Sequence, residues 1–136
     1  MTPPTDAHAP VRPSRAARIA GWVLTAVIAV MLVPSSLMKM SGASEVVAGF
    51  NHLGIPAEQV SRIAALELAC VLIFLIPPTA VLGALLLTGY MGGAIVLHVR
   101  LGEPFMVQLM IGAVAWAGIW LREPRLRRLL PLRRGQ

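Results

Sequence analysis

One carboxylate, Glu67, lies inside an otherwise apolar stretch of the sequence. Between Ile63 and Ile76 it is the only charged residue. Pro56 and Glu58 precede this stretch and favour the start of a helix, because proline fits the first turn and a negative charge complements the helix dipole. An ionisable group at membrane depth is costly and by default marks a functional site with a nearby partner. The identity of that partner decides what chemistry Glu67 can do.

Three further polar residues lie near the ends of apolar runs, namely Lys39, His98 and Gln108. A carboxylate beside an ammonium or imidazole group forms a paired site, which lowers the cost of burying each charge. Imidazole titrates near neutral pH, so His98 could exchange protons with Glu67. These four residues are our candidate polar site, although an interfacial histidine without a function is an equally open interpretation of His98.

A structural role competes with a functional one for the other candidates. Lys39 and Arg100 lie where long side chains reach lipid headgroups, and a Lys39–Glu67 salt bridge would satisfy the carboxylate without any function. Gln108 can make an interhelical hydrogen bond. His52 fits a solvated turn, and we keep Arg100 and His52 as secondary candidates only.

The composition excludes an ordinary soluble domain. Hydrophobic residues make up 57% of the 136 positions and charged residues only 13%, and the mean hydropathy is +0.74; soluble domains carry about a quarter charged residues. The net charge of +6 comes from arginines beside apolar runs, which favours a lipid surface over nucleic acid as the partner.

The single cysteine, Cys70, excludes an internal disulfide or CxxC pair. No metal-ligand spacing or phosphate loop occurs, so we predict no metal site and find no evident cofactor.

The apolar runs predict an all-α, four-helix transmembrane bundle, since spans need roughly 20 residues each. Residues 16–124 form this domain, residues 1–15 are expected to be a disordered tail, and residues 125–136 form a basic tail. The longest loop, residues 39–51, contains Ser44 and Glu45, which could begin a short helix. The predicted spans are residues 19–38, 57–76, 80–99 and 105–121.

The distribution of positive charge predicts the orientation. Of the 12 lysines and arginines, only Lys39, Arg62 and Arg100 lie on the side opposite the termini. The positive-inside rule therefore places both termini in the cytoplasm, where the basic tails could contact anionic lipid. Glu67 then lies four residues past Ile63, where the uncharged run begins, or about 6 Å below that edge at 1.5 Å per residue. The four candidate polar residues converge at this outer end, which favours a one-sided site over a transmembrane ion path.

A GxxxG spacing occurs in the third predicted span. Gly89 and Gly93 would allow another helix to approach closely. Packing within the bundle is the simpler interpretation, and dimerisation or contact with a partner subunit is the alternative.

Several short segments together resemble the DoxX-like family of small four-helix bacterial membrane proteins. The most specific is the turn 52–56, HLGIP; the others are Lys39 with residues 42–50, the step 66–69, the segment 75–77, His98, and Arg122 with Pro124. The resemblance covers about residues 19–124 and implies a multi-pass protein of the bacterial inner membrane. The family takes its name from a subunit of a thiosulfate:quinone oxidoreductase, so the resemblance implies a quinone-linked redox role. With one cysteine, thiol–disulfide chemistry within a single chain is not available.

The sequence leaves two main functions open, and small-solute transport is a third and weaker one, because the polar groups stop halfway across the bundle. The first is a membrane subunit with a small-molecule site, for a quinone-like ligand, at the outer end of the bundle, since an apolar cavity with a few convergent polar groups suits such a ligand. We expect no enzymatic activity from the isolated chain, although it could serve as a subunit of a quinone-linked oxidoreductase. The second is a non-catalytic structural or assembly protein that binds a partner subunit or a second copy of itself.

Overall fold

The computed structural model of the protein describes residues 13–126, and these residues are all-helical. They form five α-helices and one short 3₁₀ turn, with no β-strand in the described segment. The predicted all-α class is therefore confirmed, while the predicted tails 1–15 and 125–136 fall almost entirely outside the described residues. The helices are α1 Arg15–Met40, α2 Ser44–His52, α3 Ala57–Leu75, α4 Ala80–Leu101 and α5 Met106–Arg122, with the 3₁₀ turn at Pro77–Thr79.

The four longer helices coincide with the four predicted apolar spans to within a few residues. α3 ends at Leu75, just before the proline pair that cannot continue a helix. α4 ends where Gly102 adopts a left-handed conformation, with φ of +70°, a common cap that glycine takes without strain. The additional helix is α2, in the segment expected to be mainly a loop. Its half-buried residues are Val46, Val47 and Phe50, a spacing that presents one helical face to the bundle.

The surface of the bundle is strongly apolar. Helix α1 and the segment Pro77–Leu101 are each long and apolar enough to cross a membrane, and α5 is apolar but shorter. Large hydrophobic side chains point outward on three helices, with Val30 72%, Val96 66% and Val107 61% exposed. Contiguous apolar surface of this kind is rare on soluble monomers. It is the surface expected of a protein surrounded by lipid.

The four longer helices pack in a ring. α1 and α4 each contact both α3 and α5. Lys39 near the end of α1 contacts Glu67 at the middle of α3, and His98 near the end of α4 contacts Gln108 at the start of α5. We call this end of the ring, formed by the C-terminal ends of α1 and α4, by α3 from its N-terminus to Glu67 and by the N-terminal half of α5, the polar end. The buried core of the ring includes Ile28, Val71, Phe74, Leu87, Ala115 and Ile119.

Glycines permit two close helix crossings, but not at the predicted positions. A Cβ at Gly83 would overlap the backbone of Phe74, and a Cβ at Gly21 would lie 2.7 Å from the Gly118 carbonyl oxygen. By contrast, a Cβ at Gly89 or Gly93 would meet no atom within 4 Å. The packing inside the bundle that we expected from the GxxxG spacing therefore does not occur at these positions within the described chain. These two glycines line a cavity instead.

Arg122 holds the end of the ring opposite the polar end. Its guanidinium lies 4.5 Å from the centre of the Trp22 ring and 5.3 Å from the centre of the Phe74 ring. Its Nη2 donates a hydrogen bond to the Phe74 carbonyl oxygen at 3.0 Å, close to the C-terminus of α3, where helix carbonyls lack partners. One side chain thus connects α1, α3 and α5.

Candidate ligand-binding site

Glu67 is paired with Lys39 at the polar end. Lys39 Nζ lies 2.5 Å from Glu67 Oε2, and the two side chains are 17% and 2% exposed. A charge-assisted hydrogen bond of this length between such buried groups is among the stronger polar contacts in proteins. Of the partners that the sequence suggested for Glu67, the structure brings Lys39 into direct contact. The pair connects the last turn of α1 to the middle of α3.

Two aromatic residues that the sequence left without a role complete the surroundings of this pair. Tyr90 of α4 lies near the Glu67 carboxylate, and both side chains line the same cavity. The Phe50 ring of α2 lies with its centre 5.9 Å from Lys39 Nζ, within the range of a cation–π contact. The apolar spacing of residues 46, 47 and 50 could have identified the buried face of α2. No signal in the sequence distinguished Tyr90, because its register relative to α3 depends on the helix crossing at Gly83.

His98 and Gln108 form a second polar pair at the same end. His98 Nδ1 lies 2.8 Å from the Ala94 carbonyl oxygen one turn earlier in α4. His98 Nε2 lies 3.2 Å from Gln108 Nε2 of α5. The structure thus joins these two predicted site residues directly to each other. Neither donates to or accepts from Glu67 among the hydrogen bonds of the described residues.

Gln108 carries a buried atom with no protein partner. Its side-chain oxygen Oε1 is inaccessible to solvent and makes no hydrogen bond within the described structure. Buried side-chain oxygens are usually paired, so an exception calls for an explanation. Gln108 lines the cavity described next, but this oxygen itself has almost no accessible surface.

Both polar pairs line a single cavity of about 850 Å³. Its walls are mainly apolar, and the four longer helices, α2 and the turn after α2 all contribute to it. Leu66 and Leu85 line the cavity although their side chains are 56% and 60% exposed, so the cavity is open towards the side of the bundle. The polar lining residues are Ser35, Lys39, Glu67, Tyr90, His98 and Gln108, with Cys70 also on the wall.

The two secondary candidates lie outside this cavity. Arg100 Nη2 donates to the Leu53 carbonyl oxygen at 2.6 Å. His52 Nε2 lies 2.8 Å from Glu103 Oε1, and both side chains are substantially exposed. These contacts hold the turn after α2 against the end of α4. Arg100 and His52 therefore position the segment that covers the cavity and do not line it.

The comparisons with known proteins identify the family. The sequence profile of the DoxX-like family matches residues 23–121, which include almost the whole of the helical ring and every residue that lines the cavity. The chain belongs to the DoxX-like family. Comparison with curated proteins found no match, and comparison with solved structures found none either. Family membership and the apolar helices together indicate a membrane protein.

The cavity of this DoxX-like protein offers hydrogen-bond donors at one end of an apolar space. Lys39 and Tyr90, which line the cavity, can donate. Cys70 is buried within the hydrophobic core and acts there as a small packed side chain. Residues 13–126 contain no group of three His, Cys, Asp or Glu side chains placed to hold a metal ion. The arrangement suits an uncharged ligand with a small polar head and an apolar body.

Proposed function

We propose that all four longer helices of this DoxX-like protein cross the bacterial inner membrane, with both termini in the cytoplasm. The shortest, α5, has 17 residues and is about 25 Å long at 1.5 Å per residue, slightly less than a hydrocarbon core of about 30 Å. The arginine distribution supports the orientation. In this topology the polar end and its cavity face outward.

In this membrane the protein binds a small amphipathic ligand of the quinone or quinol type in the cavity. The observation that carries the proposal is the combination of an apolar space of about 850 Å³ with hydrogen-bonding groups confined to one end. Ligand pockets usually measure about 300–1,000 Å³ and combine apolar walls with a few convergent polar groups.

The placement of the two pairs suggests how such a ligand is oriented. Lys39 and Tyr90 line the cavity beside Glu67 and can donate to the polar head of the ligand. The apolar tail leaves between the exposed lining residues Leu66 and Leu85, towards the lipid. A ligand dissolved in the bilayer could therefore enter from the side without crossing the headgroup layer. Electron exchange with the bound ligand belongs, in this proposal, to a partner subunit.

Ligand-induced stabilisation of the purified protein tests the proposal. A ligand at 100 times its Kd should raise the free energy of unfolding by about 2.7 kcal/mol. We expect a short-chain quinol analogue to raise the melting temperature in mild detergent. Gly89→Leu should abolish the shift because it fills the cavity, whereas Gly92→Leu should keep it. Gly92 is the matched control, since it has equal space for a Cβ but does not line the cavity.

A structural role is the second candidate, and the unoccupied face of Gly89 and Gly93 favours it. Within the described chain no helix packs on these glycines, so a helix of a second protein or a second copy could do so. Size-exclusion chromatography distinguishes the two functions. The ligand proposal is wrong if the quinol analogue raises the melting temperature of neither the wild-type protein nor the Gly92→Leu variant. The structural role replaces it if, in addition, Gly89→Leu dissociates a co-purifying complex that Gly92→Leu retains.

A further inference from the structure

We propose that the end of the bundle opposite the polar end binds an anionic phospholipid, with the lipid phosphate at Arg18 and one acyl chain along α1. We call this end, which includes the start of α1 and the end of α5, the basic end. The inference goes beyond the proposed ligand cavity and does not depend on it, because it requires only that the chain lies in a membrane.

An open groove runs along the lipid-facing side of α1 at the basic end. Ile19, Trp22 and Val23 are all exposed, so the groove faces outward and not towards a neighbouring helix. From Arg18 to Ala26 it extends over eight residues, or about 12 Å at 1.5 Å per residue. Its lining residues have the three- and four-residue spacing of one helical side and are Arg18, Ile19, Trp22, Val23 and Ala26.

The chemical order along this groove matches the order of groups in a phospholipid. Arg18 lies at the end nearest the start of α1, and a guanidinium group can bind two phosphate oxygens at once. Trp22 follows one turn later, and indole rings favour the level of the lipid headgroups. Val23 and Ala26 come next and offer only apolar surface. A phosphate and an acyl chain can therefore occupy the groove together.

Arg18 is available for such a contact. Its side chain is exposed, and it makes no hydrogen bond or ion pair with any other residue in the range 13–126. The two ion pairs within that range, Lys39–Glu67 and His52–Glu103, both lie at the polar end. The Arg18 guanidinium thus lacks a protein counter-charge in the described part of the chain.

The charge of the basic end favours an anionic lipid over a zwitterionic one. Within the described residues this end carries a net charge of +3, from four arginines and one carboxylate, namely Arg15, Arg18, Arg122, Arg125 and Glu123. The carboxylate is engaged, because Glu123 Oε1 accepts a hydrogen bond from the backbone N–H of Arg125. A zwitterionic headgroup brings a cation of its own into this positive field, whereas an anionic headgroup is attracted by it.

Arg122 supports the aromatic wall of the groove without contacting the lipid itself. Its guanidinium lies 4.5 Å from the centre of the Trp22 ring. Its Nη2 donates to the Phe74 carbonyl oxygen, and its Nη1 has almost no accessible surface. Arg122 therefore positions Trp22 and adds positive charge beside it.

Lipid titration of the full-length protein in non-ionic detergent, followed by native mass spectrometry, tests the inference. The probes are phosphatidylglycerol and phosphatidylcholine with identical acyl chains, so that only the headgroup differs. The attraction of one arginine to an anionic lipid corresponds to about a fivefold change in affinity. We therefore expect the first phosphatidylglycerol to bind at least about fivefold more tightly than the first phosphatidylcholine.

Two arginine variants separate a contact in the groove from the general charge of the basic end. Arg18→Gln should weaken phosphatidylglycerol binding about fivefold and remove its preference over phosphatidylcholine. Arg125→Gln removes the same charge from the same end, at a residue that does not line the groove, and should retain the preference. Both arginines are exposed, so neither substitution should disturb the fold.

A second pair of variants tests the acyl-chain part of the groove. Ala26→Phe fills the groove where the chain is expected to lie, and it should weaken phosphatidylglycerol binding at least as much as Arg18→Gln does. Ala20→Phe is the matched control, because Ala20 is also exposed on α1 but does not line the groove. It should leave the binding unchanged.

The outcomes that would overturn the inference are distinct from those for the proposed function. Equal affinities of the wild-type protein for the two lipids would overturn it. An equal loss in Arg18→Gln and Arg125→Gln would overturn the contact at Arg18, and displacement of the lipid by inorganic phosphate would overturn the role of the acyl chain. Arg18→Gln should keep the rise in melting temperature with the quinol analogue, so the lipid site and the cavity can each fail without the other.

Discussion

Removing the positive partner of Glu67 should destabilise the protein more than removing both partners. In Lys39→Met the Glu67 side chain, only 2% exposed, would stay buried without its principal partner. Breaking a buried ion pair in this way typically costs about 3–5 kcal/mol, while replacing the whole pair by apolar or neutral groups is often much less harmful. Glu67→Gln replaces a charge-assisted hydrogen bond by a neutral one and should cost about 1–2 kcal/mol. We expect the double variant Lys39→Met/Glu67→Gln to be more stable than Lys39→Met alone.

Unfolding in mixed micelles provides the assay. SDS titration at constant pH, followed by the fluorescence of the tryptophans, gives the free energy of unfolding for wild type, both single variants and the double variant. Arg62→Met is the control, because Arg62 is exposed on the same helix as Glu67 and makes no ion pair within the described structure. The reasoning is refuted if the double variant is as unstable as Lys39→Met, or if Arg62→Met is equally damaging.

Three further substitutions test the packing of the ring. Gly83→Ala should lower the free energy of unfolding by about 1–3 kcal/mol, because the new methyl group overlaps the α3 backbone at Phe74. Gly92→Ala is the control: it has free space and should leave the free energy of unfolding unchanged or raise it by up to about 1 kcal/mol. An equal loss in both variants would contradict the close crossing of α3 and α4 at Gly83. Arg122→Met should lower the free energy of unfolding by about 1–3 kcal/mol, because the Phe74 carbonyl loses its hydrogen-bond donor. An unchanged free energy of unfolding in the same SDS titration would show that Arg122 does not hold α1, α3 and α5 together. His52→Ala breaks only an exposed pair and should change stability by less than about 1 kcal/mol, so a large loss would show that α2 depends on it.

The sequence predicted the helices well because their signals are local. Long apolar runs end at Pro77 and Gly102, and each of these residues has a direct backbone reason to stop a helix. The Lys39–Glu67 pair was also among the predicted contacts, because a charge at membrane depth restricts its own partners. The meeting of His98 and Gln108 followed from the up-and-down order of the helices.

The parts that the sequence did not predict depend on the rotation of one helix against another. Gly89 and Gly93 have the spacing of a packing motif, yet α4 crosses α3 at Gly83, so the motif faces a cavity. The same rotation brings Tyr90 to Glu67. Helix α2 was uncertain because Val and Gly lower helix propensity, and its burial against the polar end outweighs this local preference.

Photo-crosslinking tests the central proposal, a ligand site inside the polar end, most directly. A short-chain quinone analogue with a photoreactive azide on its ring is added to the protein in bilayer nanodiscs, and the labelled residues are identified by mass spectrometry. We predict labelling concentrated on residues 63–70 of α3 and 86–98 of α4, which line the cavity, and its loss when excess unlabelled quinol is added. Labelling spread over the exposed face of α1 around Val23 and Val30, unaffected by competitor, would contradict a specific site.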